Sequence, residues 1–274
     1  MSFENLPPLR DRLAAHDLLA KKSFGQHFLL DLNVTRKIAR LAGPFEGRAV
    51  IEVGPGPGGL TQALLESDAG HVFAIEKDRR FLPLLAELRD ASQQRLTVVE
   101  ADALKVDMAR LLDGAPAHVV SNLPYNVGTP LLVGWLTGPW RPHGMALMFQ
   151  KEVADRIAAA PGQDAYGRLS VLAQALCRTQ LVMDLPARAF TPPPKVASAV
   201  VRLDPRPDRP ADAMVKALER VTAAAFGQRR KMLRSSLKPL GGEALCAAAG
   251  VPPEVRAEDV DVAGFLRLAA ASVA

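Results

Sequence analysis

The residues best suited to chemistry stand in two short stretches, Glu52-Val53-Gly54-Pro55-Gly56-Pro57-Gly58-Gly59 and Asn122-Leu123-Pro124-Tyr125. In the second, Asn122 offers a side-chain carbonyl, Pro124 with its fixed φ orients the main-chain carbonyl of Leu123, and Tyr125 offers a π face. Together they can hold a planar base that carries an amino group. The lone pair of an exocyclic amine is delocalised into its ring, which makes it a weak nucleophile. Two carbonyl acceptors on its hydrogens favour a pyramidal geometry with the lone pair localised, and aim it at an electrophile. Such a site calls for no Ser or Cys nucleophile, no metal and no strong general base. It calls for a base taken out of its stack, and a tyrosine face offsets roughly 1–3 kcal/mol of the stacking lost. Out of context the same four residues also read as a turn closed by a packed tyrosine.

In the first stretch Gly54, Gly56 and Gly59 satisfy the spacing G-x-G-x-x-G that dinucleotide enzymes use. Ala49 to Val53 is a run of β-formers that ends at Gly54, and Leu60 to Leu65 reads as the start of a helix. The glycines therefore occupy a strand-to-helix turn that lets a ligand approach the backbone. Glu76, after the apolar run His71 to Ile75, is placed to accept hydrogen bonds from ribose hydroxyls, which either class of cofactor supplies. Glu52 discriminates. A buried negative charge beneath the turn opposes a pyrophosphate and suits a cofactor bearing an ammonium and a sulfonium, such as S-adenosylmethionine. Asp102 is placed to accept from an adenine amine, with Ala103 and Leu104 flanking the ring.

The elements that must bring these residues together alternate regularly. His71–Ile75, Leu96–Val99, His118–Ser121 and Met145–Phe149 read as strands, and Phe81–Leu88, Met108–Leu112 and Pro130–Leu136 as helices. Alternation of this kind implies right-handed crossovers and a largely parallel sheet with helices on both faces. Ligands in such sheets lie beyond the carboxyl ends of the strands. Glu76, Asp102 and Asn122 each follow an apolar run, so they should converge on the glycine turn. Leu181–Leu185 and Ser198–Leu203 complete the sheet.

At the N-terminal end, Leu9–Leu19 is a short amphipathic stretch expected to pack loosely or fray. Lys21–Asp31 mixes basic, aromatic and polar residues, and its polar side chains between Phe24 and Phe28 suit a lid or a loop stapled to the core. Asp31 should cap a helix over Leu32–Leu41. Beyond the sheet strands, Gln150–Ala159 looks helical, and Tyr166 with Arg168 either touches RNA or closes a turn. Phe190-Thr191-Pro192-Pro193-Pro194-Lys195 is stiff and basic. It reads as a wall of the acceptor pocket with Phe190 on the target base, or as a rigid connector. Asp204–Pro210 reads as a linker, and the alanine- and leucine-rich remainder as helical. There Arg230, Arg234 and Lys238 recur every four residues, and with Arg229 and Lys231 they suggest a phosphate-binding helix face, although solvated basic faces are common.

The chain's 274 residues accommodate an α/β domain and a smaller one. A net charge of +5, unevenly placed, admits a polyanionic partner. Its 2 cysteines, Cys177 and Cys246, are too far apart for a metal or redox motif. Apolar runs fall short of the ~20 residues of a membrane span, and there is no secretory signal block, so a cytoplasmic location away from membranes is expected. Nothing in the pattern points to an obligate dimer, and a monomer is expected.

The chain resembles the KsgA family of ribosomal RNA adenine dimethyltransferases over nearly its whole length. The matching words are FGQHFL (Phe24–Leu29), EVGPGPGGLT (Glu52–Thr61), Glu76, Asp102-Ala103, NLPYN (Asn122–Asn126), QKEVADR (Gln150–Arg156), YGRLSV (Tyr166–Val171), FTPPPKVASAVVRL (Phe190–Leu203) and FGQRRKMLRSSL (Phe226–Leu237). The resemblance implies a class I S-adenosylmethionine-dependent methyltransferase fold, Rossmann-like, over residues 1–203. A linker at 204–210 and a small all-helical C-terminal domain at 211–274 follow. It implies two adjacent adenosines near the 3′ end of small-subunit (16S) ribosomal RNA as acceptors, each dimethylated at its 6-amino group during late 30S subunit biogenesis. By the same likeness His27 and Leu29 contact the cofactor with Gly54, Glu76, Asp102 and Asn122. The family often has Asn where this chain has His27, and either side chain can donate to a cofactor carboxylate. The alternatives are the same chemistry on large-subunit RNA or DNA, and an assembly factor whose RNA binding outweighs its catalysis.

Overall fold

The computed structural model describes residues 3, 6–18 and 27–273. Leu19 and the Lys21–Gln26 part of the expected lid, Phe24 included, lie outside the described residues. In chain order the first elements are α1 (Leu9–Ala15), β1 (Phe28–Leu29), α2 (Leu32–Ala42), β2 (Ala49–Val53), α3 (Gly59–Leu65), β3 (His71–Glu76), α4 (Leu82–Ala91), β4 (Leu96–Glu100), α5 (Met108–Leu111), β5 (His118–Asn122), α6 (Gly128–Thr137) and β6 (Gly144–Gln150). They are followed by α7 (Lys151–Ala158), α8 (Arg168–Leu176), β7 (Cys177–Leu185), β8 (Phe190–Thr191), β9 (Ser198–Pro205), α9 (Asp212–Gly227), α10 (Leu233–Ser236), α11 (Glu243–Ala248) and α12 (Val262–Ala271).

A seven-stranded sheet has the order β4-β3-β2-β5-β6-β9-β7, and β4 through β6 in that order pair in parallel. Neighbouring residues of one strand point to opposite faces, yet Val50 and Ile51, Val119 and Val120, and Ala146 and Leu147 are all buried. Both faces are therefore covered, and the central strands are apolar throughout for that reason. One face takes α2, α3 and α4, whose Ile38, Ala39, Leu60, Leu64, Leu85 and Leu88 join Val50, Val72 and Val120 in one cluster. Asp31 caps α2, its carboxylate accepting from the Asn33 N–H at 2.8 Å.

Helix α1 is not loose. Its Arg12 is buried, donating to Glu87 at 2.7 Å and to the Leu84 carbonyl at 2.7 Å, while His16 lies 2.8 Å from the other Glu87 oxygen. Burial pushes the Glu87 carboxyl up, but the hydrogen bonds from His16 and Arg12 outweigh it and the group sits below its ordinary range.

The chain divides into two compact units, one of residues 1–135, 139–151 and 181–202, the other of 136–138, 152–180 and 203–274. One crossing between the units falls between Arg202 and Leu203, and 152–180 is a further segment of the second unit. The expected linker is partly strand, since β9 runs to Pro205, and Arg206 pairs with Asp208 at 3.1 Å. Within the second unit, Tyr166 is fully buried and donates to the Val260 carbonyl at 2.9 Å, which makes it a core residue and not an RNA contact. Both cysteines are free and buried, and burial pushes the Cys177 thiol up to about 12. Among the described residues no helix is long and apolar enough to cross a membrane.

Candidate functional site

The parallel strands deliver their carboxyl ends to one edge, and a cavity of about 640 Å³ opens there. Its lining includes His27, Phe28 and Leu29 from the arm, Gly54 and Gly56 from the turn, Glu52, Glu76, and Asn122 through Tyr125. The glycine turn and the Asn-Leu-Pro-Tyr corner are thus walls of one site. Their alignment has a local cause: the Ser121 hydroxyl, buried, donates to the Val53 carbonyl at 2.6 Å and locks the end of β5 to the end of β2. Asn122 is the last residue of β5 and lines the same cavity as Gly54.

The cradle requires glycine at two points. Gly54 has φ +65°, a left-handed conformation that L side chains rarely adopt. Gly59 begins α3 where the arm crosses it, and a Cβ there would lie 2.8 Å from the Leu29 carbonyl oxygen. A side chain at 59 would push β1 off the site.

The acids behave differently from one another. Glu76 is buried, with one oxygen accepting from the Gly56 N–H at 2.9 Å and the other from the Asp78 N–H at 2.8 Å. Burial raises its carboxyl and the backbone donors oppose that rise. The Lys77 backbone N–H also bonds to this carboxyl, and of its four lone pairs one is left for a ligand hydroxyl. Glu52, also buried, accepts the Thr61 hydroxyl at 2.6 Å, and burial pushes it up to about 8. Asp102 and Ala103 are not in the cavity lining. Asp102 instead accepts from the Lys77 ammonium at 2.9 Å and from the Leu104 N–H at 3.2 Å, which hold its carboxyl below the usual range. It adjoins the site through Lys77, which does line it.

The Asn-Leu-Pro-Tyr wall of the cavity ends in Tyr125, whose hydroxyl is 3.1 Å from that of Ser198. The His27 ring is stacked near it, 6.2 Å between centroids at 29°. Its Nδ1 is 2.7 Å from the Pro192 carbonyl oxygen. A carbonyl can only accept, so Nδ1 carries the hydrogen, and Nε2 of the neutral ring is a lone pair. The expectation that this ring donates to a carboxylate holds only for its protonated form.

Two expectations for RNA contacts are corrected. Phe190 is 3% exposed and packed in the core, paired through β8 with Leu29 of β1, so its ring forms no stacking surface. Lys195 is exposed. The basic residues do not form one helical stripe: α9 ends at Gly227, residues 228–231 form a turn and a bend, and α10 is a single turn. The break is fixed by backbone bonds from Leu233 and Arg234 to the Val255 and Pro253 carbonyls at 2.8 and 3.0 Å. Arg229 pairs with Glu258 at 2.8 Å, while Arg230, Lys231, Arg234 and Lys238 are exposed.

Residues that sequence reasoning did not single out also shape the site. Phe81 packs edge-on against Phe28, 5.4 Å between centroids, and both line the cavity. Ser198 and Pro192 meet Tyr125 and His27 from a distant part of the chain, within the stretch Phe190–Leu203 whose stiff loop reads in the sequence as a pocket wall, although neither residue is assigned a contact there.

The family model described as ribosomal RNA adenine dimethylase matches residues 18–272. A ribosomal RNA small subunit methyltransferase A of Phenylobacterium zucineum is 68% identical over 274 residues, covering 100% of this chain and 95% of that one. A solved dimethyladenosine transferase from Plasmodium falciparum aligns with TM-score 0.75 at 25% identity, over 88% of this chain and 96% of that one. The solved 23S rRNA methyltransferase ErmE aligns with TM-score 0.69 at 26% identity, over 90% of this chain and 100% of that one.

Proposed function

The chain belongs to the ribosomal RNA adenine dimethylase family, and we infer that it dimethylates the 6-amino group of two adjacent adenosines near the 3′ end of small-subunit ribosomal RNA. The observation that carries the reading is the apposition of Gly54 and Asn122–Tyr125 in one cavity. The donor is S-adenosylmethionine, and the residues present fit it. The cavity is of cofactor size and its glycine cradle excludes a Cβ, while Glu52, which burial keeps protonated up to about 8, adds attraction for a cation only once it ionises. When bound, this cofactor supplies a methyl group on a positively charged sulfur.

The chain's own residues do the rest. Gly54, Gly56, Glu76, Leu29 and His27 form the holding side, with Asp102 and Ala103 next to it behind Lys77. The Asn122 side-chain carbonyl and the Leu123 main-chain carbonyl accept the two amine hydrogens and localise the nitrogen lone pair. Tyr125 offers its face to the unstacked base. The exposed Lys195, Arg230, Lys231, Arg234 and Lys238, with Arg229, supply charge for RNA phosphates. The helical residues 211–274 serve as an RNA-binding domain in this reading. On the same reading the protein works as a monomer on an immature 30S subunit, in the cytoplasm.

Labelled cofactor offered to immature small subunits, large-subunit RNA and duplex DNA tests this. Dimethyladenosine confined to small-subunit RNA is expected, and label confined to DNA or large-subunit RNA overturns it. Asn122→Ala should abolish transfer while keeping part of the cofactor affinity, and undiminished turnover in that variant removes the mechanism.

A further inference from the structure

A second cavity, about 630 Å³, shares a wall with the first. The wall is the β1–β8 ribbon, in which Phe28 pairs with Thr191 and Leu29 with Phe190. Phe28 and Leu29 line the first cavity, while Leu30, Asp31 and Thr191 line the second. Its floor is apolar, with Leu185 buried and Val34, Met183 and Ala189 half-buried.

Charge at the rim is what distinguishes this groove from a packing defect. Two acids and two arginines line it, but the acids are engaged: Asp31 accepts from the Asn33 N–H at 2.8 Å as a helix cap, and Asp184 pairs with the Lys151 ammonium at 3.2 Å. Arg10 and Arg188 are exposed, and no ion pair is formed by either among the described residues. Asp31 keeps its charge, since a backbone N–H does not neutralise a carboxylate, so among the described residues the rim carries an excess of one positive charge, borne by two guanidiniums without an ion pair above an apolar floor. That combination matches a nucleotide, with a base against the floor and phosphate oxygens on the rim, where arginine binds in a fork geometry.

We propose that this groove is a second RNA subsite, seating the unstacked nucleotide next to the one whose base enters the first cavity. The proposal rests on the methyltransferase reading above. Strands in a ribbon lie only about 4.8 Å apart, so a chain with one nucleotide in the first cavity reaches across β1 and β8 with its neighbour. Because the substrate carries two adjacent adenosines, the groove holds one while the other reacts. The substrate of the proposed reaction decides between occupants: guanidiniums accept carboxylates as well as phosphates, but an RNA strand already seated in the first cavity brings a neighbouring phosphate and base to this wall.

The test uses the full chain and immature small subunits. Arg10→Gln with Arg188→Gln should raise the KM for the subunit about 10-fold, and should make the dependence of log KM on log salt shallower by about 0.7 for each phosphate no longer neutralised. Calorimetric cofactor affinity should stay as in the parent, which shows that the fold is kept. Ala189→Trp, which fills the floor, should raise KM without changing the salt slope. A KM within twofold of the parent in both variants overturns the proposal. So does a raised KM of the arginine variant with an unchanged salt slope, because the groove then binds something other than phosphate. Failure of the unaltered protein to methylate small-subunit RNA would instead overturn the function on which the proposal rests.

Discussion

A Cβ on Gly54 would stand 3.2 Å from Cγ of Pro124 and 3.4 Å from its Cδ. The glycine turn and the Asn-Leu-Pro-Tyr corner therefore meet so closely that a methyl group between them fits only if Pro124 gives by a few tenths of an ångström. Gly54→Ala also places an L side chain at φ +65°, which costs of order 1–3 kcal/mol of strain. Relief of either conflict moves Pro124, and with it the Leu123 carbonyl. The expected outcome is a fall in kcat of about 100-fold, with a folded protein by circular dichroism. A variant with parental kcat would show that the corner tolerates displacement.

Tyr125 reaches Ser198 through its hydroxyl at 3.1 Å and presents its ring beside His27. In the proposed mechanism the hydroxyl orients the ring and the ring meets the base. Tyr125→Phe keeps the face and should lower kcat/KM by less than about 10-fold, whereas Tyr125→Ala loses stacking of roughly 1–3 kcal/mol, or about 10–100-fold. Steady-state kinetics with immature small subunits separate the two. Equal losses in both variants would assign the main role to the hydroxyl.

Much of the fold and site is legible in the sequence because a parallel sheet writes itself as apolar runs. The strands at 49–53, 71–76 and 118–122 stand out for that reason, and the glycines and Asn122 at their ends follow. What escapes such reading depends on contacts remote in the chain. Strand β7 begins at Cys177, ahead of its apolar part, because Arg178, Thr179 and Gln180 disguise it. Helix α1 reads as loose because nothing near Arg12 reveals Glu87 as its partner. Phe190 reads as a stacking platform because aromatic residues in stiff loops often are, and only the pairing of β8 with β1 shows its ring turned into the core. The spacing of Arg230, Arg234 and Lys238 suggests one helix, but the tie of 233–234 to 253–255 ends it.

In the helical unit, the Tyr166 hydroxyl donates to the Val260 carbonyl in a fully buried setting, and burial holds its proton on far above the usual range. Tyr166→Phe removes the donor and leaves that carbonyl without it, at a cost of about 1–3 kcal/mol. Chemical denaturation should show the loss, and affinity for small subunits should be unchanged under conditions where the variant is folded. A specific loss of RNA affinity at full stability would return Tyr166 to the RNA surface.

Glu52 gives the sharpest pH dependence. Burial pushes its carboxyl up to about 8, the Thr61 hydrogen bond opposes the rise, and the Glu76 charge adds to it. The folded state therefore holds a proton that the unfolded chain releases near its ordinary value of 4.5. Stability from this group is fully present below that value and is lost as pH rises through about 8. The slope is at most about 1.4 kcal/mol per pH unit for one proton. Glu52→Gln should flatten it, measured as melting temperature from pH 5 to 9. The same ionisation creates the negative charge that favours a sulfonium, so affinity for S-adenosylmethionine should rise with pH over this range. Affinity for S-adenosylhomocysteine, whose sulfur is neutral, should rise less. Calorimetry of both ligands across pH decides it: parallel curves would mean that Glu52 does not sense the charge on sulfur, and a steeper curve for the sulfonium that is lost in Glu52→Gln would mean that it does.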